Sequence, residues 1–109
     1  MKIAIVGSRN VTVSDIGKYI SNAEEIISGG AVGVDCCAAE YAKENGIRLT
    51  EFLPQYERYG RAAPIVRNKE IVDDSDKIIA FWNGSSKGTL SVIKYAQKTG
   101  KPCEIVYCK

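Results

Sequence analysis

The chain contains no histidine. Serine–histidine and cysteine–histidine nucleophiles, and histidine general bases, are thereby excluded, because each needs an imidazole to take up the proton. Its four cysteines, Cys36, Cys37, Cys103 and Cys108, include no C-x-x-C pair. Cys36 and Cys37 are neighbours on a predicted helix and point in different directions; Cys103 and Cys108 fall at the two ends of the last strand. That spacing argues against a zinc site or a disulfide framework and for reduced thiols. No apolar run approaches membrane-spanning length, and Met1-Lys2 leads straight into a strand. The expectation is a cytoplasmic chain with no anchor and no leader to remove. Charge of one sign is also scarce: 15 Lys and Arg against 13 Asp and Glu leave a formal +2, too little to argue for nucleic acid or an anionic membrane. No linker, repeat or low-complexity tract interrupts the 109 residues, a length suited to one domain with a two-sided sheet core.

What is present alternates. Ile3-Ala4-Ile5-Val6 and Ile78-Ile79-Ala80-Phe81-Trp82 are continuous apolar runs of strand length, the signature of parallel strands covered on both faces. Between and after them come further strands at 26–27, 47–53 and 103–107, the 47–53 run alternating enough to be an edge. Helical spacing joins Ile16, Tyr19, Ile20 and Ala23 behind a Ser14 cap, then Val34, Cys37, Ala38, Tyr41 and Ala42 up to Asn45-Gly46. A third helix opens at Pro64 and runs through Ile65, Asn68, Lys69 and Val72 until Asp73-Asp74-Ser75-Asp76 breaks it. A fourth carries Thr89, Val92, Ile93 and Ala96 and stops at Thr99-Gly100. Residues 54–63 read as the longest irregular segment. This order predicts an α/β fold, a parallel sheet with helices on both faces.

The connections are sorted by kind. Helix-to-strand turns are short and bland, whereas strand-to-helix loops hold the glycines, serines, asparagines and cations. In open parallel sheets those loops gather at the carboxyl edge, where ligands bind. Ser28-Gly29-Gly30-Ala31-Val32-Gly33-Val34-Asp35 has G-G-x-x-G spacing, one glycine position off the dinucleotide fingerprint, and enters a helix whose first amides are free for an anion. Asp35, just inside that helix, is placed either to cap those amides or to accept from a ribose hydroxyl. Gly7-Ser8-Arg9-Asn10 offers a close-approach glycine, a hydroxyl and a two-pronged cation. Asn83-Gly84-Ser85-Ser86-Lys87-Gly88-Thr89 sets small residues around one lysine, without the Walker order. Arg67 and Glu70 share a helix face. Tyr56, Arg58, Tyr59 and Arg61 read as a loop held down by its tyrosines, or as a base-stacking surface.

Taken together and in order, Val6-Gly7-Ser8-Arg9, the 28–35 loop and Gly84-Ser85-Ser86-Lys87-Gly88-Thr89 resemble the SLOG superfamily, which includes the Smf/DprA recombination mediators and the LOG cytokinin-activating phosphoribohydrolases. Arg67-Asn68-Lys69-Glu70-Ile71 is similar to a further R-N-x-x-I element of that group, and small stand-alone members related to YpsA are most alike. The resemblance implies a Rossmann-like three-layer domain over residues 1–109, with a parallel sheet of about five strands, that binds a nucleotide or nucleotide-derived ligand. Ser28, Gly29, Gly30, Gly33 and Asp35 would line the site from one side. Asn83, Gly84, Ser85, Ser86, Lys87, Gly88 and Thr89 would line it from the other, with Gly7, Ser8 and Arg9 between. LOG enzymes carry P-G-G-x-G-T-x-x-E, whose glutamate acts on the ribose; here Val92 stands in that place. The resemblance therefore favours a sensor or binding domain with no metal and no separate cofactor. One alternative is a nucleoside monophosphate phosphoribohydrolase, with Arg67 on the phosphate and Glu70 or Asp35 on the ribose. Another is a single-stranded DNA module using Arg9, Arg58, Arg61, Arg67 and Lys87, although the small net charge argues against nucleic acid. Relatives commonly pair, so a homo-oligomer is also among the expectations.

Overall fold

The computed structural model describes residues 1–8, 13, 16–20, 23–29 and 34–108, the side chains of Val34 and Asp35 excepted. In chain order the elements are β1 (Lys2–Gly7), α1 (Gly17–Ile20), β2 (Glu25–Ser28), α2 (Val34–Glu44), β3 (Arg48–Glu51), α3 (Tyr56–Tyr59), a 3-10 turn (Gly60–Ala62), α4 (Ala63–Asp74), β4 (Lys77–Trp82), α5 (Lys87–Thr99) and β5 (Cys103–Tyr107). The five strands form one sheet in the order β3-β2-β1-β4-β5, and every neighbouring pair is parallel. The chain starts in the middle, steps outward through β2 to β3, then crosses back over β1 to build β4 and β5. This is the expected Rossmann-like α/β fold, and its order reverses between β1 and β4, which is where such sheets open a crevice.

Period-two alternation divides the core. Ile3, Ile5, Ile26, Ile79 and Phe81 face Ile20 of α1 and Ala38 and Ala42 of α2. Ala4, Val6, Ile27, Ile78 and Ala80 face Ile71 and Val72 of α4 and Val92, Ile93 and Ala96 of α5. Both faces of β1 and β4 are therefore buried, which is why their sequences read as unbroken apolar runs. Each fully buried isoleucine here contributes roughly 1.5–3 kcal/mol. β3 is an edge, as its alternation predicts, and β5 is the other.

The structure differs from the sequence expectation in three places. Residues 56–62, expected to be irregular, form α3 and the 3-10 turn that runs into α4. Neither buries a residue, so no apolar periodicity marks them. The buried side of α4 is Ala63, Asn68, Ile71 and Val72; Ile65 is 52 % exposed and Lys69 also faces solvent. The helix continues through Asp73 and Asp74 and ends only at Ser75, whose extended backbone (φ −108°, ψ 157°) stops it. Ser14, the expected first cap, lies outside the described residues. No helix among the described residues is long and apolar enough to cross a membrane.

The amino-terminal edge of the sheet is sealed by charge. Lys2 pairs with Asp74, Arg48 with Glu25 and Lys77 with Glu104. The Asp76 carboxylate accepts from the Lys2 amide at 2.7 Å, and the Asp76 amide donates to the Lys2 carbonyl at 2.8 Å. Glu25, 8 % exposed, also accepts from the Thr50 hydroxyl at 2.9 Å. On the sheet's α4/α5 face the two helices are zipped at their solvent side. The Tyr95 hydroxyl donates to the Asp73 carboxylate at 3.0 and 3.3 Å, and the Lys69 ammonium lies 5.7 Å from the Tyr95 ring centre. The hydrogen bond to Asp73 raises the Tyr95 pKa above the ordinary tyrosine value, with burial and the Asp73 charge adding to it. The neutral phenol is the stabilised form. Its contribution is therefore complete below the unfolded tyrosine value near pH ~10 and is lost as pH rises through the higher folded value. In an ultraviolet titration of the six tyrosines, Tyr95 is expected to ionise late. Tyr95→Phe should remove that late phase, and its small loss of stability should be visible at neutral pH and vanish in strong alkali.

Candidate anion-binding site

A cavity of about 190 Å³ opens at the carboxyl edge of the sheet, between α4 and α5. Its floor is Val6 and Gly7 at the end of β1, and Gly29 just beyond β2 closes one side. Pro64, Arg67, Asn68 and Ile71 of α4 form one wall; Ser86, Gly88, Thr89 and Val92 at the start of α5 form the other. The carboxyl ends of β1 and β2 and the start of α5 thus meet in one hollow, beside the reversal of strand order.

Arg67 is the cation in that wall. Its Nη1 donates to the Gly29 carbonyl and its Nε to the Asn68 Oδ1, each at 2.9 Å. These two bonds fix a half-buried guanidinium across the seam from α4 to the end of β2. Among the described residues its Nη2 has no acceptor, and no carboxylate pairs with it. The face shared with Glu70 does not produce an ion pair, and Glu70 is not among the residues lining the cavity. A half-buried cation without a counter-charge has lost hydration that only an anion or water restores.

The opposite wall supplies amides. The Asn83 Oδ1 accepts from the amides of Ser85 and Ser86, each at 2.9 Å, and from the Ser85 hydroxyl at 3.2 Å. Gly84, at φ 87°, makes that tight turn. Ser86 then caps α5: its hydroxyl accepts from the Thr89 amide at 3.4 Å and donates to the Thr89 hydroxyl at 3.3 Å. The Trp82 indole donates to the Ser86 carbonyl at 3.0 Å. The amides of Lys87 and Gly88 have no acceptor among the described residues, and Gly88 lines the cavity. These are the free donors at the positive end of a helix.

Of the residues expected from sequence, the cavity brings together Gly7, Gly29, Ser86, Gly88, Thr89 and the weaker candidate Arg67. Ser8 and Ser28 are buried beside it, 2 % and 0 % exposed; Ser8 serves the fold, its hydroxyl accepting from the Asn83 amide at 3.4 Å. Asn83, Gly84, Ser85 and Lys87 lie outside the lining, and the Lys87 side chain is exposed. Arg9, Gly30, Gly33 and the Asp35 side chain lie outside what is described. Asn68 and Ile71 were not singled out as site residues, yet with Arg67 they are the three fixed positions of the R-N-x-x-I element. That element was the available signal. Val92, 2 % exposed, is an apolar part of the α5 wall, and no carboxylate is among the described residues of the lining.

Fold and cavity together define a Rossmann-like α/β protein with free donors converging at the sheet's topological switch point. Compared with known proteins, the chain matches no protein-family model and no curated protein. Among solved structures it is similar to the X-ray structure of DNA processing protein A (DprA) from Streptococcus pneumoniae, with a TM-score of 0.77 and 20 % identity over 99 % of this chain. The chain spans about half the length of that protein, 50 % of its chain. At this identity the likeness is one of fold.

The two glycines of the last loop separate the needs of the turn from those of the cavity. Gly84 needs its positive φ, whereas Gly88 has an ordinary φ and a Cβ built on it meets nothing within 4 Å. Alanine is the better residue in a helix by up to ~1 kcal/mol. Gly88→Ala is therefore expected to leave the urea midpoint unchanged or raise it. Gly84→Ala should lower stability by about 1–2 kcal/mol.

Proposed function

We propose that this chain is a SLOG-type domain that binds a nucleotide or nucleotide-derived ligand by its phosphate, as a sensor or binding module. The observation carrying the proposal is Arg67: a cavity-lining guanidinium, anchored by two hydrogen bonds and without a counter-charge among the described residues. Facing it, the first turn of α5 offers free amides, and Gly88 keeps the approach open where folding alone would accept alanine. Arginine and a helix amino terminus together make a phosphate site. The cavity, about 190 Å³, is smaller than the ~300 Å³ of a typical small-molecule pocket. It suits a phosphate or phosphoribosyl group, with the base lying over the rim.

Cleavage of an N-glycosidic bond is the weaker reading. Glycoside chemistry draws on carboxylates beside the scissile bond, and Val92 occupies the wall where one would be needed. Glu70 stands off the lining. The membership itself rests on the motif order together with the DprA-like fold, and the closer likeness to small stand-alone SLOG proteins on the motifs alone.

Thermal unfolding against nucleoside mono-, di- and triphosphates, with the phosphate-free nucleosides and single-stranded DNA as further arms, tests the proposal. Phosphorylated ligands should stabilise the protein by roughly 2.7 kcal/mol at about 100 times Kd, and nucleosides should not. No free base should appear on incubation. Arg67→Lys should lose most of the effect, since an ammonium keeps the charge but not the fork that spans Gly29, Asn68 and the ligand. Equal stabilisation by nucleosides, or an undiminished effect in Arg67→Lys, would sink the phosphate assignment. Binding confined to DNA would replace it with the nucleic-acid reading that the name of the DprA neighbour invites.

A further inference from the structure

We infer that Asn68 sets the polarity of the site, presenting its side-chain nitrogen to the ligand, so that the ligand atom received there is an acceptor such as a phosphoryl oxygen. The inference rests on the anion-binding reading above. Asn68 is 8 % exposed and lines the cavity. Its Oδ1 is taken by the Arg67 Nε at 2.9 Å. A guanidinium has donors only, so a reversed carboxamide would set N–H against N–H; the orientation is fixed by chemistry. The nitrogen is then the end left to the cavity, and it has no acceptor among the described residues. A buried donor left unpaired is costly. The half-buried Arg67 Nη2 and the exposed Gly88 amide also have no acceptor among the described residues. Three donors around one hollow, none bonded to a described acceptor, select a group that accepts. A phosphoryl or carboxylate end meets that condition; an ammonium or an amide N–H does not.

The test uses AMP and inorganic pyrophosphate as probes, with calorimetry for affinity. Asn68→Asp keeps the size and still offers an acceptor to the Arg67 Nε, but replaces the donating end with a charged oxygen. Asn68→Ala removes both ends without adding charge. Wild type is expected to bind at least one probe. Asn68→Ala should weaken that binding roughly 10- to 100-fold at every pH, the worth of a hydrogen bond to a charged group. Asn68→Asp should weaken it at least as much at neutral pH and recover as the introduced carboxyl is protonated and becomes a donor. In wild type the Asn68 side-chain amide proton resonances, assigned by their loss in Asn68→Asp, should move on saturation. A residue that merely braced Arg67 would be replaced well by aspartate at neutral pH. The inference is therefore overturned, with the anion reading intact, if Asn68→Asp binds within about twofold of wild type or the amide resonances stay still at saturation. If wild type binds neither probe, the anion reading fails and the inference falls with it.

Discussion

Everything distinctive about the carboxyl edge depends on one guanidinium held at two points. Arg67 reaches from α4 to the Gly29 carbonyl and back to its own neighbour Asn68. The first bond ties the helix to the end of β2, fixing the gap between them. The second settles which way the Asn68 carboxamide faces. What is left, one guanidinium nitrogen and one amide nitrogen, points the chemistry of the hollow in a single direction, toward acceptors. A lysine at 67 would carry the same charge and fix neither neighbour, because its three donors radiate from one atom at the end of a flexible stem.

That arrangement stands out against the other end of the sheet. At the amino-terminal edge three cations have a carboxylate: Lys2 with Asp74, Arg48 with Glu25, Lys77 with Glu104. Such pairs at a surface are worth little individually, but they offset one another's charge. At the carboxyl edge Arg67 is unbalanced among the described residues, and the free amides of α5 add to the same sign. A net charge of only +2 thus hides an uneven distribution. The packing of α4 and α5 over Val6, Ala80 and Ile27 holds the two walls apart, and the Tyr95–Asp73 bond keeps them from splaying at the solvent side.

Much of this was legible in the residues. β1 and β4 read as unbroken apolar runs because both their faces are covered, and the stripe Thr89, Val92, Ile93 and Ala96 is the buried side of α5. The sorting of bland turns to one edge and polar loops to the other followed from connection length alone. The α3 segment was not legible, since two short turns that bury nothing leave no period to detect. The serine-rich loop after β4 was legible as a loop and not as chemistry. Spacing cannot say that Asn83 will fold back to occupy the amides of Ser85 and Ser86, leaving the amide of Gly88 for the cavity. The Asn68 amide was hidden for a similar reason: its importance lies in what Arg67 does to it, a contact that sequence order does not encode.

The character of the walls bears on whether such a site holds its ligand or transforms it. A hydrolase acting on a sugar–base bond must stabilise positive charge on the ribose and protonate or activate a neighbour. The described lining offers amide and guanidinium donors, two hydroxyls and apolar surface, and no carboxylate. Placing a carboxylate at the Val92 position would set it, 2 % exposed, against Val6, Ile71 and Ile93, where ionisation is strongly disfavoured unless a cation is close. Arg67 is the one cation in the described lining, and its bonds to Gly29 and Asn68 already commit two of its edges. A buried acid there would therefore compete with a ligand anion for the one edge of that guanidinium left open. Within the described lining, holding an anion and supporting a buried acid would draw on one side chain.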